Sequence, residues 1–242
     1  MASIHFILQG KGGVGKSMIA AMLYQALQHF QKEVVAFDTD PVNNTLTSFR
    51  DFNVTQVDVL KDGNIDQRKF DVLLEGLVNL PPDSHAIIDN GASSFIALAS
   101  YLEENDVLSL LEESGHKVFF HTVVTGGQAL VDTMEGMVKL CMVFPNTPLI
   151  VWLNPFFGDI AVEGKNFEEF TGYVQNMSHI QTVIKMPKGN ASTIGRDLEE
   201  LFALRRTFEA AINGSSTHIA VKSRLRKYWN SILTCVENAQ IF

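Results

Sequence analysis

Eight residues near the start of the chain, "GKGGVGKS" from Gly10 to Ser17, hold four glycines, two lysines and a hydroxyl. Glycine loses conformational entropy on folding, so such a cluster signals positive φ angles or a ligand close to the backbone. The spacing Gly10-x-x-x-x-Gly15-Lys16-Ser17 is that of a phosphate-binding loop. The expected contacts are backbone groups of Gly12, Gly13, Val14, Gly15, Lys16, Ser17 and Met18 around a nucleotide's phosphates, the Lys16 amine on the β and γ phosphates, and the Ser17 hydroxyl on Mg2+. Three aspartates close later apolar runs: Asp38 and Asp40 in "FDTDPVNN" and Asp89 in "AIIDNGASS". Carboxylates at strand ends beside a triphosphate hold metal and water in line with the γ-phosphate. The same "DTDP" is also ordinary turn chemistry, and an aspartate at a strand end can equally cap a helix.

The elements that must position these residues follow from periodicity. "SIHFILQ" and "KEVVAFD" are short apolar runs suited to strands buried on both faces, and Ile19, Ala20, Leu23, Leu27 and Phe30 recur between them at helical spacing. The alternation continues with helices near 68–80, 95–111 and 128–144 and strands at "HAIID", "KVFFHTVV" and "PLIVWLN". This predicts an α/β fold, one mostly parallel sheet covered by helices on both faces, with ligands at the carboxyl ends of the strands. A final helix over about 217–238 should pack on the same domain, which spans residues 1–242.

Composition narrows the function classes. The chain is 46% hydrophobic, enough for a sizeable core, and no Pro- or Ser-rich stretch marks a linker. No basic leader or long apolar run is present, which points to a cytoplasmic protein. Cys141 and Cys235 stand apart from each other and from metal-ligand spacing. Of the seven histidines, those at 5, 85, 116, 121 and 218 form no triad or metal pattern and read as ordinary strand or loop residues. Most of the 17 phenylalanines read as core. The net charge of −8 argues against coating nucleic acid. Its distribution is uneven: residues 181–242 carry nine Lys/Arg against five Asp/Glu, a net of +4, and the rest ten against twenty-two, a net of −12. Any polyanion-binding face should therefore lie late in the chain, on Arg205, Arg206, Lys222, Arg224, Arg226 and Lys227.

The second lysine, Lys11, is not required by a single phosphate loop, and "KGGVGKS" resembles the deviant Walker A motif of the ParA/MinD group of ATPases. That resemblance implies ATP and Mg2+ as ligands and a homodimer formed on ATP, with Lys11 reaching the partner's phosphates. It further implies that Asp40 positions the attacking water, that Asp38 supports the Mg2+ site, and that Asp89 accepts from a Mg2+-bound water. Asn154 in "VWLNPFFG" would read adenine, with Pro187 and Lys188 of "KMPKG" flanking the base. Members of the group often carry proline just after the Asp89 position, whereas this chain has Asn90 and Gly91, so the shape of its second switch loop departs from the pattern. "IDNGASSF" and "HTVVTGGQAL" are more specific and resemble the TraL-like proteins of conjugative plasmids, with the StbB-like plasmid-stability ATPases nearby. The implied role is an ATPase switch in transfer, positioning or stability of plasmid DNA, working with a DNA-binding or transfer partner protein. The alternatives are a nucleotide-gated scaffold with little hydrolysis and a metabolic enzyme of the same fold. A membrane anchor on the terminal helix is the less favoured surface, and iron–sulfur relatives are disfavoured by the absence of cysteine near Asp89.

Overall fold

The computed structural model describes residues 1–242. Its centre is a seven-stranded sheet built from β1 (Ser3–Ile7), β2 (Glu33–Asp38), β3 (Val54–Gln56), β6 (Ser84–Asp89), β7 (Lys117–Thr125), β8 (Leu149–Asn154) and β11 (Ile180–Lys185). Two short hairpins stand apart from it: β4 (Leu60–Lys61) with β5 (Asn64–Ile65), and β9 (Ala161–Val162) with β10 (Lys165–Asn166). The helices are α1 (Lys16–His29), α2 (Phe70–Val78), α3 (Phe95–Glu104), α4 (Val107–Glu113), α5 (Leu130–Val143), α6 (Thr171–Val174), α7 (Arg196–Ala203), α8 (Phe208–Asn213) and α9 (Ile219–Asn238).

The strand order is β11-β8-β7-β1-β6-β2-β3 and every pairing is parallel. Parallel strands need crossovers, and the helices supplied by those crossovers cover both faces, so the strands read as continuous apolar runs. All carboxyl ends consequently meet at one edge. Ile7 is level with Asp89, Asp89 with Asp38, and Thr125 with Asn154, which sets the loops after β1, β2 and β6 side by side.

Alternate residues of each strand face two separate cores. Ile7, Ile87, Val123 and Trp152 pack beneath α1 and α9, whereas Phe6, Ile88, Phe120 and Val151 pack against the face held by α2 to α5. α9 buries Leu225, Tyr228, Trp229, Ile232, Leu233 and Val236, and Trp229 stacks on Phe208 with ring centroids 4.5 Å apart.

The structure departs from the expected elements at three places. The single helix expected over 95–111 breaks into α3 and α4 at Asn105 and Asp106, where Asp106 adopts φ 49 and turns the chain. β3 and β11 escape periodicity: β3 is three residues long, and β11, at the other edge of the sheet, buries only Ile184.

The histidines also do more than ordinary strand residues would. Trp152 Nε1 donates to His121 Nδ1 at 2.9 Å, His121 Nε2 lies 3.0 Å from His5 Nδ1, and His5 Nε2 lies 3.1 Å from His85 Nδ1. An indole N–H can only donate. His121 must therefore accept on Nδ1 and donate from Nε2, and the same logic fixes His5 and then His85 as neutral Nε2–H tautomers. The row crosses four adjacent strands in the core. Burial pushes His5 well below the ordinary 6.5, with His121 and His85 adding to the drop, and burial also lowers His121 to about 3 and His85 to about 4.

Candidate functional site

The loop from Gly10 to Ser17 leaves β1 and enters α1 at the carboxyl edge of the sheet. Gly15 precedes the helix at φ 104, and a Cβ there would sit 2.9 Å from the Asn154 amide nitrogen, so both conformation and space demand glycine. α1 has no side-chain cap and no acidic residue in its first turn, which leaves its N-terminal amides and dipole free for an anion.

The two lysines are held differently. Lys16 is 7% exposed and donates to the Lys11 carbonyl at 3.0 Å; burial lowers its pKa, while attraction from Asp89 and Asp40 opposes that. The Lys11 side chain is 44% exposed and its amine lies 2.7 Å from Asp132 on α5. Gln9 ties the base of the loop down. Its Oε1 accepts from the Lys11 N–H at 3.3 Å, and its amide donates to the carbonyls of Val123 and Thr133 at 3.0 and 3.1 Å. Asp132 and Gln9 were not singled out by the sequence; the only trace is an acidic residue in the first turn of the helix that follows "TVVTGGQAL".

The carboxylates fall into two kinds. Asp38 shapes a loop: its Oδ1 accepts from Asp40 N at 3.1 Å, and its Oδ2 from Leu46 N, Thr47 N and Thr47 Oγ1, each at 3.1 Å. Asp40 Oδ1 accepts from Val42 N and Asn43 N at 2.9 and 3.1 Å, the turn chemistry that "DTDP" allowed. Asp89 is different, because it is fully buried and neither carboxylate oxygen has a hydrogen-bond partner. Burial pushes it up to about 7; the Ser17 hydroxyl, close by but outside hydrogen-bonding geometry, and Lys16 oppose the rise, and Asp38 and Asp40 add to it. A buried carboxylate without partners fits a site completed by a cation or its water, and Ser17 is at hand as a second oxygen donor.

On the other side of Gly15 lies a cavity of about 210 Å3 whose walls include Met18, Asn154, Phe156, Pro187, Ile194 and Tyr228. It is wide enough and apolar enough for a planar base. Asn154 donates from Nδ2 to the Val14 carbonyl at 3.0 Å and accepts from Phe156 N at 3.1 Å, which leaves one amide proton uncommitted. Lys188 is not part of the wall; it pairs with Asp159 at the surface.

The late basic residues separate in the same way. Arg224 forks onto Asp197, Arg205 bonds the Phe202 carbonyl, and Arg206 bonds the Ala210 carbonyl and Thr217. Of the six residues expected to form a polyanion face, only Arg224 has its charge met by a carboxylate; the acceptors of Arg205 and Arg206 are neutral. Lys222, Arg226 and Lys227 are left on α9 without ion-pair partners.

A family model described as the CobQ/CobB/MinD/ParA nucleotide binding domain matches residues 5–213. The chain belongs to this family. Within it, the chain is 43% identical to Protein TraL of Escherichia coli, over the whole of both chains, and 24% identical to Protein MobD of Acidithiobacillus ferrooxidans, over 87% of this chain and 86% of that one. The fold is shared with the septum site-determining protein MinD of Pyrococcus horikoshii, solved with Mg-ADP, at a TM-score of 0.56, 17% identity and coverage of 98% and 96%. A chain of the MinC:MinD cell division protein complex of Aquifex aeolicus gives a TM-score of 0.55, 15% identity and the same coverage. The protein is thus a P-loop nucleotide-binding protein of the ParA/MinD ATPase family, related to TraL. None of its helices is long and apolar enough to cross a membrane.

Proposed function

We propose that this chain is an ATP-driven dimerisation switch serving the transfer or positioning of plasmid DNA. One observation carries the reading: the two lysines of the loop face opposite ways. Lys16 turns inward to its own cradle, whereas Lys11 stands at the mouth of the loop on an exchangeable surface ion pair. The clefts beside it are flanked by exposed apolar side chains, Ile96 at 75% and Phe157 at 51%. Apolar groups around an exposed cation suit a second copy that brings phosphate to Lys11 and covers Ile96 and Phe157 in the same step.

In this reading the loop amides from Gly12 to Met18 hold the phosphates, Lys16 binds the β and γ phosphates, and Asn154 and Pro187 border the base. Ser17 and Asp89, with Asp38 behind them, hold Mg2+, which when bound neutralises charge on the β and γ oxygens. Asp40 orients the water. The kinship with TraL and MobD supports a role around plasmid DNA, together with a transfer or DNA-binding partner protein.

The test is light scattering across an ATP titration. Lys11→Ala should bind ATP and remain a monomer, and Lys16→Ala should lose ATP. Asp132→Ala, which frees Lys11, should dimerise at roughly 2- to 5-fold lower ATP, since an exposed ion pair holds it back by less than about 1 kcal/mol. A Lys11→Ala dimer formed as in the parent would refute the paired-site reading.

Nonspecific DNA is the favoured surface because Lys222, Arg226 and Lys227 share one stretch of α9 with no carboxylate within ion-pair distance. Pairing two protomers would bring six such cations to one duplex. Replacing all three with Gln should abolish ATP-dependent retention on nonspecific duplex and flatten the salt dependence by about 3 to 5 in log–log slope. Loss of retention on anionic vesicles in place of duplex would make the surface a membrane one.

A further inference from the structure

At the carboxyl edge, β2 and β6 continue their pairing one step past the strands, with Thr39 N donating to the Asp89 carbonyl at 3.0 Å. Beyond that point the two loops are tied by three side chains, Thr39, Asn90 and Ser94, each wholly buried. Asn90 Oδ1 accepts from Thr39 Oγ1 at 2.9 Å and from Ser94 Oγ at 2.8 Å, and Asn90 Nδ2 donates to the Gly91 carbonyl at 3.0 Å. Both lone pairs of one amide oxygen are thus used by hydroxyls from the loop after β2 and from the start of α3.

A second contact sits beside the first. A Cβ on Gly91 would lie 2.6 Å from Asp40 Cγ, so the Asp40 carboxylate rests directly on the Gly91 backbone. Asp40 follows Thr39 and Gly91 follows Asn90, so clasp and contact act on consecutive residues. We infer that the Thr39–Asn90–Ser94 clasp joins the two switch loops into one moving body, with Asn90 as the positioning residue that sets Asp40 against Gly91.

The residue type matters. Aspartate at position 90 could accept from both hydroxyls but could not donate to Gly91, and it would put a second buried carboxylate beside Asp89. Proline would offer no side-chain acceptor, so loops built with it would have to be coupled by other means. The inference rests on the proposed hydrolytic role of Asp40 only for its effect on turnover; the mechanical linkage stands without it.

The deciding experiment is hydrogen exchange on the full-length, nucleotide-free chain. Thr39→Val removes one hydroxyl at nearly constant shape and should speed exchange about tenfold in both 40–47 and 91–94, although only one loop carries the change. Ser94→Ala should do the same from the other side. The pair together should add little to either, and Thr39→Ser should restore the parent rates. With ATP, Thr39→Val should turn over on the order of 10- to 100-fold more slowly while its affinity for a fluorescent ATP analogue changes less than about 3-fold. Loosening confined to 40–47, or a Thr39→Ser protein as damaged as Thr39→Val, would overturn the clasp. If Asp40→Ala hydrolyses ATP as the parent does while cross-loop loosening is seen, the hydrolytic reading fails and the clasp survives. An inactive Asp40→Ala without cross-loop loosening gives the opposite result.

Discussion

Asp40→Ala should bind ATP as the parent does and fail to turn it over, with the single-turnover rate down by about 100-fold or more. The phosphate loop and Lys16 are untouched by the change, and the two backbone bonds that Asp40 Oδ1 receives only shape its own turn. Its Oδ2 takes no bond from the protein and is left for water. Asp40→Asn separates the two jobs, because an amide oxygen keeps the bonds from Val42 and Asn43 while losing the charge that draws a proton from water. Both variants should accumulate as ATP-bound dimers, and radiolabelled phosphate release in a single turnover reads the loss. Hydrolysis by Asp40→Ala at the parent rate would remove this residue from the chemistry and leave a nucleotide-gated scaffold as the better reading.

Acid should cost the fold more than any single surface charge does. His5 and His121 are fully buried and neutral, with folded pKa values depressed below the 6.5 of an unfolded chain. As pH falls through 6.5 the unfolded state takes up protons that the native row cannot, so stability is intact above about pH 7 and is lost from there toward the folded values. Each such histidine costs about 1.4 kcal/mol per pH unit, so two lose roughly 4 kcal/mol between pH 6.5 and 5. For a chain of this size that lowers Tm by on the order of 10 °C. Thermal melts at pH 7.5 and 5.0 measure it, and His5→Asn/His121→Asn, though less stable at neutral pH, should show a shallower dependence. A Tm that moves by under about 3 °C in the parent would mean that the row accepts protons in place.

The phosphate loop and the α/β alternation were legible because both are local. Gly15, Lys16 and Ser17 owe their placement to neighbours along the chain, and a buried parallel strand announces itself by its own apolar run. What was hidden depends on partners far away in sequence. Asp132 meets Lys11 only because α5 packs on β7, the strand next to β1, and Asn90 acquires its meaning from Thr39, 51 residues earlier. The histidines looked unremarkable because their bonds join four different strands, which no spacing within one segment can report. The break at Asn105 and Asp106 carries neither Gly nor Pro, so helical periodicity ran through it. Charge counting located the basic end of the chain but could not see that Asp197 already holds Arg224.

Tyr228 stands in the wall of the cavity proposed for the base, yet it belongs to α9, which begins six residues after the family match ends at 213. In the proposed site, the half that would face the phosphates is inherited with the motifs, while part of the half that would face the base comes from a segment outside them. Divergence among relatives in this last helix would retune which base is favoured, and how long it stays, without altering any motif residue; an alignment of the motifs alone would show two such proteins as the same.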